Sequence, residues 1–83
     1  MNIVKYPLST EKAIRLMESE NKLVFIVDEL AKKAEIKAAI EKMFKVKVTK
    51  VNTFTDMKGR KKAYVKFSQE SPAIDVAIKL GLM

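Results

Sequence analysis

The stretch VKVTKVNTFTDMKGRKKAYVKFS, residues 46–68, decides the fold because it contains two predicted strands and the turn that joins them. Asp56–Arg60 is predicted as a tight hairpin turn, since it holds Gly59, which readily takes a positive φ. Lys61–Ser68 alternates between apolar and more polar residues: Ala63, Val65 and Phe67 against Lys62, Tyr64 and Lys66. This period of two predicts a strand with one buried and one exposed face.

The first strand of the hairpin, predicted over Val46–Thr55, has a less regular pattern. Val46 and Val48 share one parity, whereas Val51 has the other. Either a β-bulge lies near Thr49, or both faces of the strand are partly covered. The sequence leaves these two alternatives open.

Two more strands are predicted upstream. Ile3–Tyr6 is a short extended segment ended by Pro7, which disfavours helix at the residue before it, so an edge strand is expected. Lys22–Asp28 contains the apolar run Leu23–Val27, whose residues are mostly β-branched or aromatic and lack helical spacing. This segment is predicted to be a buried strand.

Three helices are predicted from caps and apolar stripes. The first begins at a Ser9 or Thr10 cap and ends at about Glu18, with Asn21 near its end. The longest covers Ala31–Phe44. The last has Ser71 as its cap and Pro72 at its first position, and ends at Gly81. The predicted stripes are Ala13, Ile14 and Met17 in the first helix, Ile36, Ala39, Ile40, Met43 and Phe44 in the second, and Ile74, Ala77 and Ile78 in the last.

The predicted order is strand, helix, strand, helix, strand, strand, helix, which indicates an α+β fold with helices against a four-stranded antiparallel or mixed sheet. The long helix must return the chain across the sheet by a right-handed connection. The second strand of the hairpin can then fill the gap between the two strands that this helix joins, which gives a split βαβ core. At 83 residues, the chain is expected to form a single domain, residues 1–83.

Composition limits the possible functions. The 17 Lys and Arg residues outnumber the 10 Asp and Glu residues, which gives a net charge of +7 and favours a polyanionic partner. Cysteine and histidine are both absent, which excludes disulfides, thiolate and imidazole catalysis, and zinc sites built from these residues. The carboxylates are scattered and no phosphate-cradling glycine loop is present, so neither an enzyme nor a bound cofactor or metal is expected. No apolar run is long enough to enter a membrane, and the cytoplasm is the expected location.

The densest basic feature lies around the predicted hairpin turn, where Lys58, Arg60, Lys61 and Lys62 occupy four of five positions. Such a cluster is either a solvated turn that blocks edge pairing or a phosphate-binding surface. Further bases along the hairpin, namely Lys45, Lys47, Lys50 and Lys66, favour a continuous basic stripe. The start of the long helix adds Lys32, Lys33 and Lys37. Their charges are unfavourable near the positive end of the helix dipole, and a polyanionic partner would offset that cost.

A second RNA-binding hypothesis comes from Ala63–Phe67, which coincides with the end of the signature of the RNA recognition motif. In that fold, aromatic residues on a central strand stack on bases. A free-standing RNA-binding regulator of this kind would need an exposed Tyr64 or Phe67. Lys61 and Lys62 depart from the signature, and the predicted order has a helix where that fold has a hairpin.

Several segments, in order and nearly end to end, resemble the family of the universal large-subunit ribosomal protein twenty-three. These are Thr10–Ala13 (TEKA), Ala34–Phe44 (AEIKAAIEKMF), Val46–Val48 (VKV), Val51–Thr53 (VNT), Lys58–Gly59 (KG) and Lys61–Val65 (KKAYV). The compact form is similar to archaeal members. Bacterial members extend the hairpin into a long loop that enters the wall of the exit tunnel, whereas here Asp56–Arg60 is short.

The resemblance implies a monomer within the ribosome that binds large-subunit rRNA near the mouth of the polypeptide exit tunnel. It also implies contact with a neighbouring large-subunit ribosomal protein and with the signal recognition particle. Glu11 corresponds to the acidic residue that docks such factors, and it also suits the first turn of a helix. The rRNA-binding residues that the resemblance implies are Lys12, Lys32, Lys37, Asn52, Thr53, Lys58, Arg60, Lys61 and Lys62.

Overall fold

A computed structural model of the protein describes residues 3–81. Seven elements follow the predicted order: β1 (Val4–Pro7), α1 (Glu11–Glu20), β2 (Lys22–Val27), α2 (Lys33–Phe44), β3 (Val48–Thr55), β4 (Lys61–Phe67) and α3 (Ala73–Lys79). The α+β class is therefore confirmed. Most boundaries differ from the predictions by one or two residues.

The four strands form one sheet in the order β1-β2-β4-β3, and all neighbouring strands are antiparallel. Because β4 lies between β2 and β3, the two strands joined by α2 are parallel to each other and separated by one strand. This arrangement is the predicted split βαβ core. The register of β3 and β4 shifts between Val48 and Lys50, so the bulge near Thr49 is the alternative that holds.

The core lies between the sheet and the helices. Phe25 of β2, Val65 and Phe67 of β4, and Ile36 and Ile40 of α2 are each at most 2% exposed. Leu23, Val27, Val48, Val51 and Ala63 complete the sheet's contribution, and Met17, Ala73, Val76 and Ala77 come from the other helices. The apolar face of β4 is therefore buried, as predicted.

β1 is an edge strand, as expected, but pairing continues through Pro7 instead of ending before it. Pro7 pairs with Phe25, and the N–H of Leu8 donates to the Val24 carbonyl at 2.9 Å. An edge strand tolerates proline because its outer side needs no ladder hydrogen bond. Thr10 then caps α1 by accepting from the N–H of Ala13 at 3.2 Å.

All three predicted apolar stripes are wrong in part. On α3 the buried residues are Ala73, Val76 and Ala77, whereas Ile74 and Ile78 are 44% and 56% exposed. Both sets have i, i+3, i+4 spacing, so only tertiary packing chooses between them. On the other helices, Met43 and Ile14 are also exposed, at 58% and 41%.

The predicted cap of α3 is also wrong. Pro72 occupies the cap position, and the Ser71 hydroxyl oxygen instead accepts from the N–H of Lys47 at 3.1 Å. The free backbone N–H at the first turn of α3 finds its acceptor elsewhere in the chain: the N–H of Ala73 donates to Asn21 Oδ1 at 2.6 Å. A side chain remote in sequence therefore replaces the local cap.

Candidate nucleic-acid interface

The strand register separates the polar residues of the sheet into two faces. Ala63, Val65 and Phe67 face the helices, so Lys62, Tyr64 and Lys66 face the opposite side. The residues of neighbouring strands that pair with these three lie on the same side. We call this side the open face; its polar and aromatic residues are Tyr6, Lys22, Lys50, Asn52, Phe54, Lys62, Tyr64 and Lys66.

A row of three lysines crosses the open face. Lys66 of β4 lies directly opposite Lys22 of β2 on one side and Lys50 of β3 on the other. Like charges directly opposite each other destabilise a sheet. Glu20 offsets part of this repulsion, because its carboxylate lies 3.2 Å from Lys22 Nζ. Such a row favours an anionic partner, and it places Lys50 and Lys66, two members of the predicted basic stripe, side by side.

Aromatic rings occupy the part of the open face nearer the hairpin turn. The rings of Phe54 and Tyr64 are stacked, with centroids 5.1 Å apart and planes 25° apart. Lys62 Nζ lies 5.9 Å from the centroid of the Phe54 ring, within the range of a cation–π interaction. Phe54 and Tyr6 remain 47% and 45% exposed. Exposed aromatics interleaved with lysines are typical of RNA-binding sheets.

The hairpin turn is organised by Asp56. Its Oδ1 accepts from the N–H groups of Lys58 and Arg60, both at 2.9 Å, and its Oδ2 lies 3.0 Å from Arg60 Nε. The hydrogen bond from the Arg60 backbone is the largest of the effects that lower the pKa of Asp56. Gly59, between Lys58 and Arg60, has a φ of +79°, a conformation that few other residue types adopt. Asp56 thereby holds the turn while Lys58 stays exposed.

Arg60 connects the turn to the aromatic part of the open face. Its guanidinium interacts with the Tyr6 side chain and then with the Asp56 carboxylate, and these two contacts raise the pKa of Arg60. Arg60 has the same parity as Lys62 along the chain, and Tyr6 belongs to the open face. Arg60 therefore lies at the turn end of that face, with 41% of its side chain exposed.

Lys61 and Thr53 are not on the open face, although the sequence groups Lys61 with the other hairpin bases. Lys61 pairs with Thr55 and Val27, and Thr53 pairs with Ala63, so both have the helix-facing parity. Lys61 Nζ donates to the Ala31 carbonyl at 2.6 Å, directly before α2. The predicted basic cluster is thus divided between two faces, because successive strand residues point to opposite sides.

The lysines at the start of α2 form a second basic region. Lys32 is the cap residue of α2, and Glu35 Oε1 accepts from its N–H at 2.9 Å. Lys32, Lys33 and Lys37 are all exposed. The bond from Lys61 to Ala31 brings this region next to the first residue of β4. Lys32 and Lys61 therefore lie at the hairpin end of the molecule, whereas Lys37 lies farther along α2.

Lys12 of α1 borders the open face across a groove that Phe54, Lys62 and Tyr64 also line. Glu11, the preceding residue, is exposed and lies 2.8 Å from Arg15 Nη2, one helical turn away. This ion pair is open to solvent, with 82% of the Glu11 side chain exposed. Of the predicted residues, the open face thus contains Asn52 and Lys62, and Lys12 lies at its border.

Sequence reasoning missed Tyr6 and Phe54 as parts of the candidate interface. Both are aromatic residues in short or irregular strands, where parity could not be read before the register was known. Phe54 could have been identified from its position two residues after Asn52, because residues at this spacing lie on the same face of a strand. Phe67 is 2% exposed and belongs to the core, so it cannot stack on a base.

The part of the chain described by the structure, residues 3–81, contains no group of three or more Asp, Glu, His or Cys residues placed to hold a metal ion. None of its helices is long and apolar enough to span a membrane.

The sequence of the chain is similar to that of known proteins. Residues 2–78 match the family described as ribosomal protein L23. The chain is 49% identical over 81 residues to the large ribosomal subunit protein uL23 of Trypanosoma brucei brucei. That match covers 98% of this chain and 49% of the relative, so the chain spans about half the length of the relative.

Proposed function

The chain belongs to the ribosomal protein L23 family, and on that premise we propose that it is a structural constituent of the large ribosomal subunit that binds large-subunit rRNA near the polypeptide exit tunnel. It acts in the cytoplasm as one copy within each ribosome and contacts a neighbouring large-subunit protein. The observation that carries the RNA-binding role is the open face, where lysines and exposed aromatics share one side of a sheet.

The open face and the hairpin end are suited to RNA phosphates in different ways. Lys50, Lys62 and Lys66 form no ion pair within residues 3–81, so their charges are free to neutralise phosphates and release counterions. Arg60 and Lys58 extend this charge beyond the end of the sheet. The lysines at the start of α2 lie on the other side of Lys61 and offer a second contact to the same folded RNA.

Glu11 is the proposed docking residue for the signal recognition particle. Its carboxylate stands at the exposed start of α1, away from the lysine row. Arg15 is its intrahelical partner, but an exposed pair of this kind contributes little stability and can be replaced by a partner's cation. Glu11 can therefore dock a basic surface without disturbing the RNA-binding face.

A free-standing regulator of the RNA-recognition-motif kind is less well supported. Such a regulator would need an exposed Tyr64 or Phe67, and Phe67 lies in the core. The order of elements also places α2 between β2 and β3. Tyr64 does lie on the open face, but there its stacking partner is Phe54 of the neighbouring strand.

Co-sedimentation with large subunits tests the proposed function. We expect the full chain to stay with isolated large subunits after a high-salt wash, because several RNA and protein contacts act together. A variant with Lys50, Lys62 and Lys66 changed to Gln should be released at lower salt than the wild type. Loss of the wild-type chain in the first low-salt wash would contradict a structural role in the subunit.

A further inference from the structure

A groove runs between α1 and the aromatic part of the open face. Its volume is about 280 Å³, close to the lower limit of small-molecule sites, about 300 Å³. Val24 and Leu16 give it an apolar floor, and the stacked rings of Phe54 and Tyr64 form a wall. Lys12 and Lys62 lie at its rim, and no carboxylate lines it.

We propose that this groove holds one unpaired nucleobase of RNA, stacked on the Phe54 ring, with the adjoining phosphates at Lys12 and Lys62. This inference rests on the proposed RNA-binding function. It adds that the open face recognises an extruded or single-stranded nucleotide in addition to the phosphates of a duplex.

The exposure of Phe54 is the first argument for a base. The Phe54 ring is 47% exposed and therefore contributes little to the core. Its stacking against Tyr64 holds it in a fixed orientation. Base stacking on such a ring is tolerant of sequence, because every base has a π-face. Since the ring is already ordered by its neighbour, binding a base costs little additional side-chain entropy.

The combination of charge and shape is the second argument. The floor is apolar, which suits the faces and edges of a base, while the charged groups at the rim are both cationic. A polynucleotide carries these two properties at the same spacing in every nucleotide. A-form duplex RNA keeps its bases inside the helix, so only an unpaired nucleotide can present both to the groove.

Three hairpin RNAs with the same stem provide the test. One has a single bulged 2-aminopurine, the second has an abasic site at the bulge, and the third is fully paired. We expect wild-type protein to bind the 2-aminopurine hairpin about 5- to 150-fold more tightly than the abasic one. Binding should also change the 2-aminopurine fluorescence, because the base leaves its former stacking environment.

Variants of the wall residue locate the effect. Phe54→Ala should remove the preference for the bulged base, whereas Phe54→Trp should keep it. Met57→Ala is the matched control, since it also removes an exposed apolar side chain near the hairpin, and it should leave the preference unchanged. The comparison of the abasic and 2-aminopurine hairpins uses unaltered protein, so it does not depend on how the variants fold.

Equal affinity of the wild type for all three hairpins would overturn the base groove while leaving phosphate binding intact. An equal loss of affinity for the abasic and 2-aminopurine hairpins in Phe54→Ala would also overturn it. A protein that bound none of the hairpins at low salt would contradict the proposed RNA-binding function itself.

Discussion

The side chain of Asn21 accepts a hydrogen bond at 2.6 Å from the backbone N–H of Ala73, 52 residues later in the chain. The same side chain donates through Nδ2 to the carbonyls of Phe67 and Ser68, at 3.1 and 3.0 Å. Asn21 ends α1 with a φ of +56°. One residue therefore joins the end of α1, the end of β4 and the start of α3.

Replacing Asn21 should destabilise the whole fold. Asn21→Ala removes the acceptor for the Ala73 N–H and the donor for two carbonyls, and it places alanine at a positive φ. We expect the free energy of unfolding, measured in urea, to fall by about 2–4 kcal/mol. Asn21→Gly loses the same hydrogen bonds without the backbone strain, so its loss should be smaller by about 1 kcal/mol. A loss below about 0.5 kcal/mol in Asn21→Ala would show that water replaces these bonds.

The sheet could be predicted from the sequence because its signals are short-range. The alternation in Lys61–Phe67 and the apolar run Leu23–Val27 identify their strands without further information. The connection through α2 then leaves the gap that β4 fills. The bulge at Thr49 could be stated only as one of two alternatives, since a change of parity has more than one cause.

The errors arose where tertiary contacts decide between equal local patterns. Ser71 has a good capping side chain, but Asn21 reaches the first turn of α3 and Ser71 binds Lys47 instead. The interface shows the same limit. Lys61 and Lys62 are adjacent in sequence, yet one donates to Ala31 and the other faces Phe54, because the strand register assigns them to opposite sides.

Two residues of α2 provide a test of the core. Ile40 is fully buried, so Ile40→Ala should lower the free energy of unfolding by about 2–5 kcal/mol through the cavity that it leaves. Met43 is 58% exposed, and Met43→Ala should change stability by no more than about 0.5 kcal/mol. Urea denaturation of both variants tests the orientation of α2. Similar losses in the two variants would mean that this orientation is incorrect.

The row of three lysines predicts that stability and RNA binding change in opposite directions. Lys66→Glu turns two like-charged cross-strand pairs into attractive ones, so the free energy of unfolding should rise, by up to about 1 kcal/mol. Affinity for rRNA should fall, and the slope of log affinity against log salt should become less steep by about 1 or more. Lys42→Glu, on α2, changes the net charge equally and should leave that slope nearly unaltered. A Lys66→Glu protein with normal RNA affinity would exclude the lysine row from the interface.

The hairpin turn should respond to acid through Asp56. The backbone hydrogen bond from Arg60 and the other Asp56 contacts lower its pKa below the ordinary value of 3.8. The charged carboxylate therefore stabilises the turn above that value, and the contribution is lost as the pH falls through the lowered pKa. Asp56→Asn keeps an acceptor for Lys58 and Arg60 but removes the charge. The wild type should be more stable than Asp56→Asn near neutral pH. The urea midpoints of the two proteins should converge as the pH falls through the lowered pKa of Asp56. A difference in midpoint that does not depend on pH would rule out the charge as its cause.

The proposed docking role of Glu11 can be separated by experiment from its contribution to the stability of α1. Glu11→Ala removes a first-turn charge and an exposed pair with Arg15, so it should cost at most about 1 kcal/mol of stability and leave assembly into subunits intact. If Glu11 docks the signal recognition particle, Glu11→Ala ribosomes should bind the particle more weakly than wild-type ribosomes, mainly at low salt, where electrostatic attraction is strongest. Arg15→Ala is the matched control, because it breaks the same intrahelical pair while leaving the Glu11 carboxylate free, and its ribosomes should bind at least as well as the wild type. Equal affinities of wild-type and Glu11→Ala ribosomes at every salt concentration would restrict Glu11 to stabilising its own helix. Equally weakened binding of the particle by Glu11→Ala and Arg15→Ala ribosomes would assign the effect to the ion pair instead of the docking charge.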